Sequence, residues 1–152
     1  MKKETQRLAE FSDEVRQAIL ERLRRVPEGK ENWRLRPDDL SFSDIIQHLL
    51  DADQWLIRMV EKKEYHSMDP SPNCRVVKGR GEYEGLLKEL EASKTLKRKF
   101  IQSLAEEKLD EVIEGPKFEK QSVWKAIVQG NLEHETHHRG QIEVYLQMIQ
   151  GE

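Results

Sequence analysis

Apolar residues recur at steps of three and four along four stretches of this chain, and polar or turn-forming segments separate them. That period is the mark of amphipathic helices. The first stripe is Leu8, Phe11, Val15, Ala18, Ile19, Leu23 and Val26, ended by Pro27-Glu28-Gly29. Asn32 to Leu40 reads as a connection packed by Trp33. Ser41-Phe42-Ser43-Asp44 has capping-box spacing and opens a second helix, with Ile45, His48, Leu49, Ala52, Trp55, Leu56 and Met59 on one face. Tyr65 to Gly81 holds Pro70, Pro72, Gly79 and Gly81 and reads as a long loop. The third stripe is Tyr83, Leu86, Leu87, Leu90, Leu96, Phe100, Ile101 and Leu104. Glu106 to Gln121 is mixed, with Val112, Ile113 and Phe118 around Gly115-Pro116. It predicts either an irregular segment or a small strand pair closing one end of a bundle. The last stripe runs from Trp124, Ile127 and Val128 to Ile142, Tyr145, Met148 and Ile149, and Gly151 is a natural stop. Helices are therefore expected near 4–26, 41–62, 82–105 and 122–149, in one all-α domain spanning 1–152 and built as a four-helix bundle.

The last stripe contains an anomaly. Carried through its middle, it lands on Asn131, His134, His138 and Gln141. Burying a neutral polar group without a partner costs roughly 2–7 kcal/mol. Histidines at i and i+4 point the same way, so one metal ion satisfies both. The competing reading is a pair of hydrogen-bonded core histidines, but Asn131 and Gln141 on the same seam weigh toward the metal. Catalytic zinc sites commonly use three protein ligands and leave a position open. His48 is the third candidate, because it too interrupts a core-facing stripe, whereas His66 lies in the loop and His137 sits about 100° round the helix from His138. Asp44 and Asp51 lie one turn either side of His48. Both read more naturally as surface acids than as carboxylates orienting its ring.

Composition narrows the classes. Of 152 residues 36% are charged and 36% hydrophobic, and the net charge is -3, which suits an amphipathic-helix protein and gives no reason to expect nucleic acid. The basic runs around Arg24 and Arg98 have acidic flanks and read as solvated faces. Cys74 is the only cysteine, so no intrachain disulfide forms and a reducing, cytoplasmic setting is expected. The first residues lack the apolar core of a signal peptide, and no apolar run is long enough to span a bilayer.

His134-Glu135-Thr136-His137-His138 also satisfies the metalloprotease pattern H-E-x-x-H. A metzincin would need glycine at Gln141 and histidine at Val144, and too little chain follows His138 for a distant glutamate ligand. Glu135 reads instead as an exposed helical glutamate, with a role as a base beside the metal as the alternative.

These residues resemble a known family. Leu40-Ser41-Phe42-Ser43-Asp44-Ile45-Ile46-Gln47-His48, followed by Trp55, resembles the first ligand helix of the DinB/YfiT-like superfamily. His134-Glu135-Thr136-His137-His138-Arg139-Gly140-Gln141 is similar to its second ligand segment, and the likeness extends over nearly the whole chain. The resemblance implies a four-helix bundle with a divalent metal on His48, His134 and His138, often as a homodimer. It also implies a small-molecule substrate, with transfer of a low-molecular-weight thiol among the family's activities and isomerases and hydrolases among its relatives. Zinc and nickel both suit neutral imidazoles. Beside this, Gly130 and Gly140 are each expected to let a neighbour approach the helix. Gln141 is expected to hydrogen-bond a ligand imidazole or a metal-bound water, and Arg139 to pair with an acid elsewhere in the bundle, with an anionic substrate as the alternative partner. Three classes follow: a metal-dependent enzyme, either a thiol S-transferase or a hydrolase, a metal-binding bundle without turnover, and a structural bundle whose histidines bind nothing.

Overall fold

The computed structural model describes residues 1–65, 67–115 and 119–151. Helix α1 spans Glu4–Arg24, α2 Phe42–Lys62 and α3 Arg80–Ser103. A 3-10 turn at Glu106–Asp110 leads into strands β1 (Val112–Glu114) and β2 (Lys120–Ser122). These pair antiparallel, Ile113 opposite Gln121, so the strand-pair alternative for this region is the one observed. Phe118 and Pro116 lie outside the described residues. The final helical segment has three parts: α4 (Val123–Ile127), a π-helical stretch over Val128–Glu133, and α5 (His134–Gln150).

Local chemistry sets the boundaries. Pro27 and Gly29 follow α1, and Gly29 sits at φ 93°, where a side chain would be strained. The Ser41 hydroxyl accepts from the Asp44 N–H at 3.0 Å while the Asp44 carboxylate accepts from the Ser41 N–H at 3.0 Å, closing the expected capping box. Asp44 is fully buried, not the surface acid expected from its position. Its carboxylate also accepts from the N–H groups of Asn73 (3.0 Å) and Arg75 (2.9 Å), which ties the long loop to the start of α2. Burial opposes its ionisation, but the N–H groups of Ser41, Arg75 and Asn73 outweigh that and hold its carboxyl below the usual range.

The helices bury their apolar faces in two clusters. One gathers Ile19, Leu23, Phe42, Ile45, Leu49, Leu86, Leu90, Ile142 and Tyr145, with Trp33 packed against it as expected. The other gathers Leu8, Leu56, Met59, Ile101, Ile113, Ile127 and Leu132. Four buried charged residues come from four different helices: Arg16 on α1, Asp53 on α2, Lys97 on α3 and Glu135 on α5.

Four apolar side chains expected inside are not. Phe11, Leu96, Trp124 and Met148 are exposed. On α3 the inward face after Leu90 continues through Lys97 to Ile101, so Leu96 turns out. On α1 the inward positions are Ser12, Val15, Arg16 and Ile19 in place of Phe11. The π-helical stretch shifts the phase of the last helix, and Val123, Ala126 and Ile127 face in while the Trp124 indole donates to Glu4 at 3.1 Å.

Candidate metal centre

Helix α2 carries His48 and α5 carries His134 and His138, so two helices point three imidazoles at one place. The Nε2 atoms of His48 and His134 are 2.7 Å apart, and those of His134 and His138 are 3.0 Å apart. One ligating nitrogen from each of the three lies within 4.8 Å of the others. Nitrogens bound to one tetrahedral zinc at about 2.0–2.1 Å would be about 3.3 Å apart, so these two pairs stand about 0.6 and 0.3 Å closer than coordination would hold them, and a small outward movement of the rings would seat an ion.

The tautomer of His138 follows from a chain of hydrogen bonds. The Tyr145 hydroxyl donates to the Leu40 carbonyl at 3.0 Å and accepts from Gln141 Nε2 at 3.2 Å. That orients the Gln141 amide so that its Oε1 faces His138 Nδ1 at 2.9 Å. Nδ1 therefore carries the proton, and Nε2 presents its lone pair to the other two rings. Trp33 and Phe42 hold the tyrosine ring edge-on, with centroids at 5.1 and 5.5 Å. All three histidines are pushed down to about 4, chiefly by burial. At neutral pH they are uncharged, which is the state a metal ligand needs. His134 Nδ1 is buried with no hydrogen-bond partner among the described residues. Several lone pairs converging in a buried place, with one fixed by its outer hydrogen bond, fit a divalent cation better than three rings bonding one another.

Beneath the histidines runs a charge network that the helical stripes hide. Arg16 donates through Nε to Glu135, through Nη1 to the Leu90 carbonyl at 3.0 Å and through Nη2 to both Asp53 oxygens at 3.0 and 2.9 Å. Lys97 Nζ reaches Glu135 at 2.8 Å, Asp53 at 3.0 Å and the Asn131 side-chain oxygen at 2.9 Å. Ser93 adds a 2.6 Å bond to Asp53. All four charged side chains are 0–2% exposed, so the two cations and two anions balance in the core. Burial disfavours ionised Asp53, but Lys97 and Arg16 overcome this and hold its carboxyl below the ordinary range. The expected exposed Glu135 is thus buried. Both its oxygens are engaged by cations, which leaves no free carboxylate to act as the base of a metalloprotease. The available signal is one charged residue at helical phase on each stripe, a pattern that a search for apolar residues passes over.

The remaining residues fall out plainly. His137 is exposed, its ring 5.2 Å from that of His138. Asp51 is exposed and accepts from Gln47, and neither it nor Asp44 hydrogen-bonds His48. Arg139 forms no ion pair with a described residue, so the acid partner expected for it is not observed, and a Cβ at Gly140 would meet nothing within 4 Å, so the close approach expected there is not observed either. Gly130 is different: a Cβ there would lie 3.0 Å from the Trp55 ring. His66 lies outside the described residues.

A profile for the DinB superfamily matches residues 12–142. The chain belongs to the DinB superfamily. Its fold is shared with the crystal structure of a DinB-like protein, YjoA, from Bacillus subtilis, at a TM-score of 0.72 and 16% identity, covering 95% of this chain and 92% of that one. No curated protein matches it. Superfamily membership and the three-histidine cluster are together compatible with metal binding. Among the described residues no helix is long and apolar enough to cross a membrane.

Proposed function

We propose that this DinB-superfamily protein binds one divalent ion on His48, His134 and His138 and uses it to transfer a low-molecular-weight thiol onto a small electrophile. The observation that carries this is the convergence of three neutral imidazole nitrogens at the floor of a 570 Å³ cavity also walled by Trp55 and Tyr65. Three protein ligands and an adjoining cavity are the arrangement of catalytic rather than four-ligand structural sites. When bound, zinc or nickel supplies the positive charge that lets a thiol lose its proton near neutral pH. The chain's own residues do the rest. Gln141 and Tyr145 hold His138 in its ligating tautomer, and the cavity walls position the reactants. Cys74 is a poor nucleophile for the same task, since partial desolvation and the neighbouring Asp44 push its thiol up to about 11.

In the transfer the thiol gives its proton to solvent, a carbon–sulfur bond forms, and the leaving group departs with its bonding electron pair. Elemental analysis of protein purified without added metal or a histidine tag, followed by assays of small thiols with a chromogenic electrophile, tests the proposal. Thiol-dependent turnover that disappears in His138→Ala is the expected result. A metal-loaded protein inactive with every thiol would leave a non-catalytic metal-binding bundle or a metal-dependent hydrolase as the better reading.

A further inference from the structure

A second cavity, of 620 Å³, lies between α2 and α3 and shares no described lining residue with the one above the histidines. The two helices run parallel. Phe42, Ile45 and Leu49 from the first half of α2 share one apolar cluster with Leu86 and Leu90 from the first half of α3, while Leu56 and Met59 share the other with Ile101. Ser93 donates to Asp53 at 2.6 Å, which fixes the register of the two helices at the cavity. Ile57 and Leu96 line the cavity about one turn past that bond. Glu89 lines it about one turn before, toward the start of both helices, where the Arg75 N–H is held by Asp44 at 2.9 Å. One end of the cavity is therefore apolar and the other charged. The charges at that end have no partners: Arg75 is half-buried, Glu89 is exposed, and neither side chain forms a hydrogen bond or ion pair with a described residue. The third charged residue on the walls, Asp53, is engaged by Arg16, Lys97 and Ser93. At the opposite end Leu96 is 60% exposed.

We infer that this cavity binds a free α-amino acid with an apolar side chain, its carboxylate on Arg75, its ammonium group on Glu89 and its side chain along Leu50, Ile57 and Leu96. The inference is independent of the reading of the three histidines. Arg75 and Glu89 line one cavity without pairing, so a ligand of either single charge meets one partner and one repulsion. A zwitterion meets a partner at both, through charge-assisted hydrogen bonds that are roughly twice as strong as neutral ones. An apolar side chain running toward Ile57 and Leu96 takes exposed hydrocarbon out of water on both surfaces. The cavity's volume lies within the range of about 300–1,000 Å³ usual for small-molecule sites.

The test is a calorimetric titration of the full chain with L-phenylalanine, with phenylalaninamide, which lacks the carboxylate, and with N-acetylphenylalanine, which lacks the ammonium group. Amino acids also chelate zinc, so the titration is run on chelator-treated protein and repeated after zinc is added. The expected result is a Kd for phenylalanine of about 1 mM or below in both preparations, with each analogue bound about tenfold more weakly. Arg75→Gln should weaken phenylalanine about tenfold and abolish its advantage over the amide. Glu89→Gln should do the same relative to the N-acetyl compound. Leu96→Ser should weaken all three ligands several-fold. The Arg75 and Glu89 side chains hold no described polar partner and Leu96 is exposed, so these variants should melt with the wild type. No saturable binding of phenylalanine to the chelator-treated wild type, equal affinity for the three ligands, or indifference to both charge variants would overturn the inference. Binding that appears only with zinc would place the amino acid at the histidines and overturn it as well.

Discussion

Glu135→Gln is the most informative single change to the core. The substitution keeps the side chain's shape and removes one of two anions from a layer holding two cations, all four groups 0–2% exposed. Glutamate accepts from Arg16 with one oxygen and from Lys97 with the other. Glutamine has a single oxygen, so its NH2 group must face one of those donors, and Asp53 is left to balance both cations. Breaking a buried ion pair by removing one partner typically destabilises by about 3–5 kcal/mol. For a chain of this length each kcal/mol lowers the melting temperature by about 2–4 °C, so a fall of about 6–20 °C is expected. Urea unfolding followed by far-ultraviolet circular dichroism gives the free energy directly. The companion variant Lys97→Met/Glu135→Leu removes one cation and one anion together and should recover most of the loss, because apolar replacement of a whole buried pair is often neutral or stabilising. A Glu135→Gln protein within about 1 kcal/mol of wild type would refute the picture of a charge-balanced, buried layer.

Alanine at His48, His134 or His138 should each strip most of the metal from protein purified under identical conditions, while His137→Ala retains it; equal metal content in wild type and His48→Ala would remove the third ligand. Gln141→Ala takes away the acceptor of His138 Nδ1–H and should weaken metal affinity by about 10–100-fold in a competition titration, with the fold unchanged. The sign for Asp44 follows from its lowered folded-state value: its contribution is complete above the unfolded carboxyl's range and is lost as pH falls through the folded value. The stability gap between wild type and Asp44→Asn should therefore be constant from pH 7 to 5 and shrink below about pH 3.8. A gap that widens in acid would contradict the capping role.

The helices and the three-histidine cluster are legible in the sequence because each breaks or obeys a single local rule. The Ser41/Asp44 spacing marks the start of α2, and Pro27 and Gly29 mark the end of α1. His48, His134 and His138 stand out as polar residues on stripes that packing demands be apolar, and the structure places them together. Arg16, Asp53 and Lys97 break the same rule without standing out, because a charged residue on a helix is expected to find solvent and its partners lie on other helices. Arg16 and Glu135 are 119 residues apart, and no local window shows that they meet. Leu96 shows how the error propagates: with Lys97 assigned outward, the neighbouring leucine reads as the inward residue. The π-helical stretch is hidden for another reason. Its extra residue leaves composition unchanged and reveals itself only through the phase of the flanking helical residues, as at Trp124.

The π-helical stretch also explains how two demanding features fit on one helix. His134 and Glu135 are consecutive, so their side chains diverge by about 100°. One joins the imidazole cluster and the other the charge layer. Asn131, inside the π-helical stretch, accepts from Lys97 and donates to the Ala52 carbonyl at 3.4 Å, so the same residues that shift the helix phase are pinned to α3 and α2. Gly130, in the same stretch, admits Trp55 from α2. A plain α-helix through 123–150 would carry the outward Trp124 face on toward His134 and turn one of the two features away from its partners. The wide turn, the glycine and the asparagine are thus one device: it sets the rotation of α5 so that the imidazoles face the cavity while Glu135 completes a neutral layer in the core.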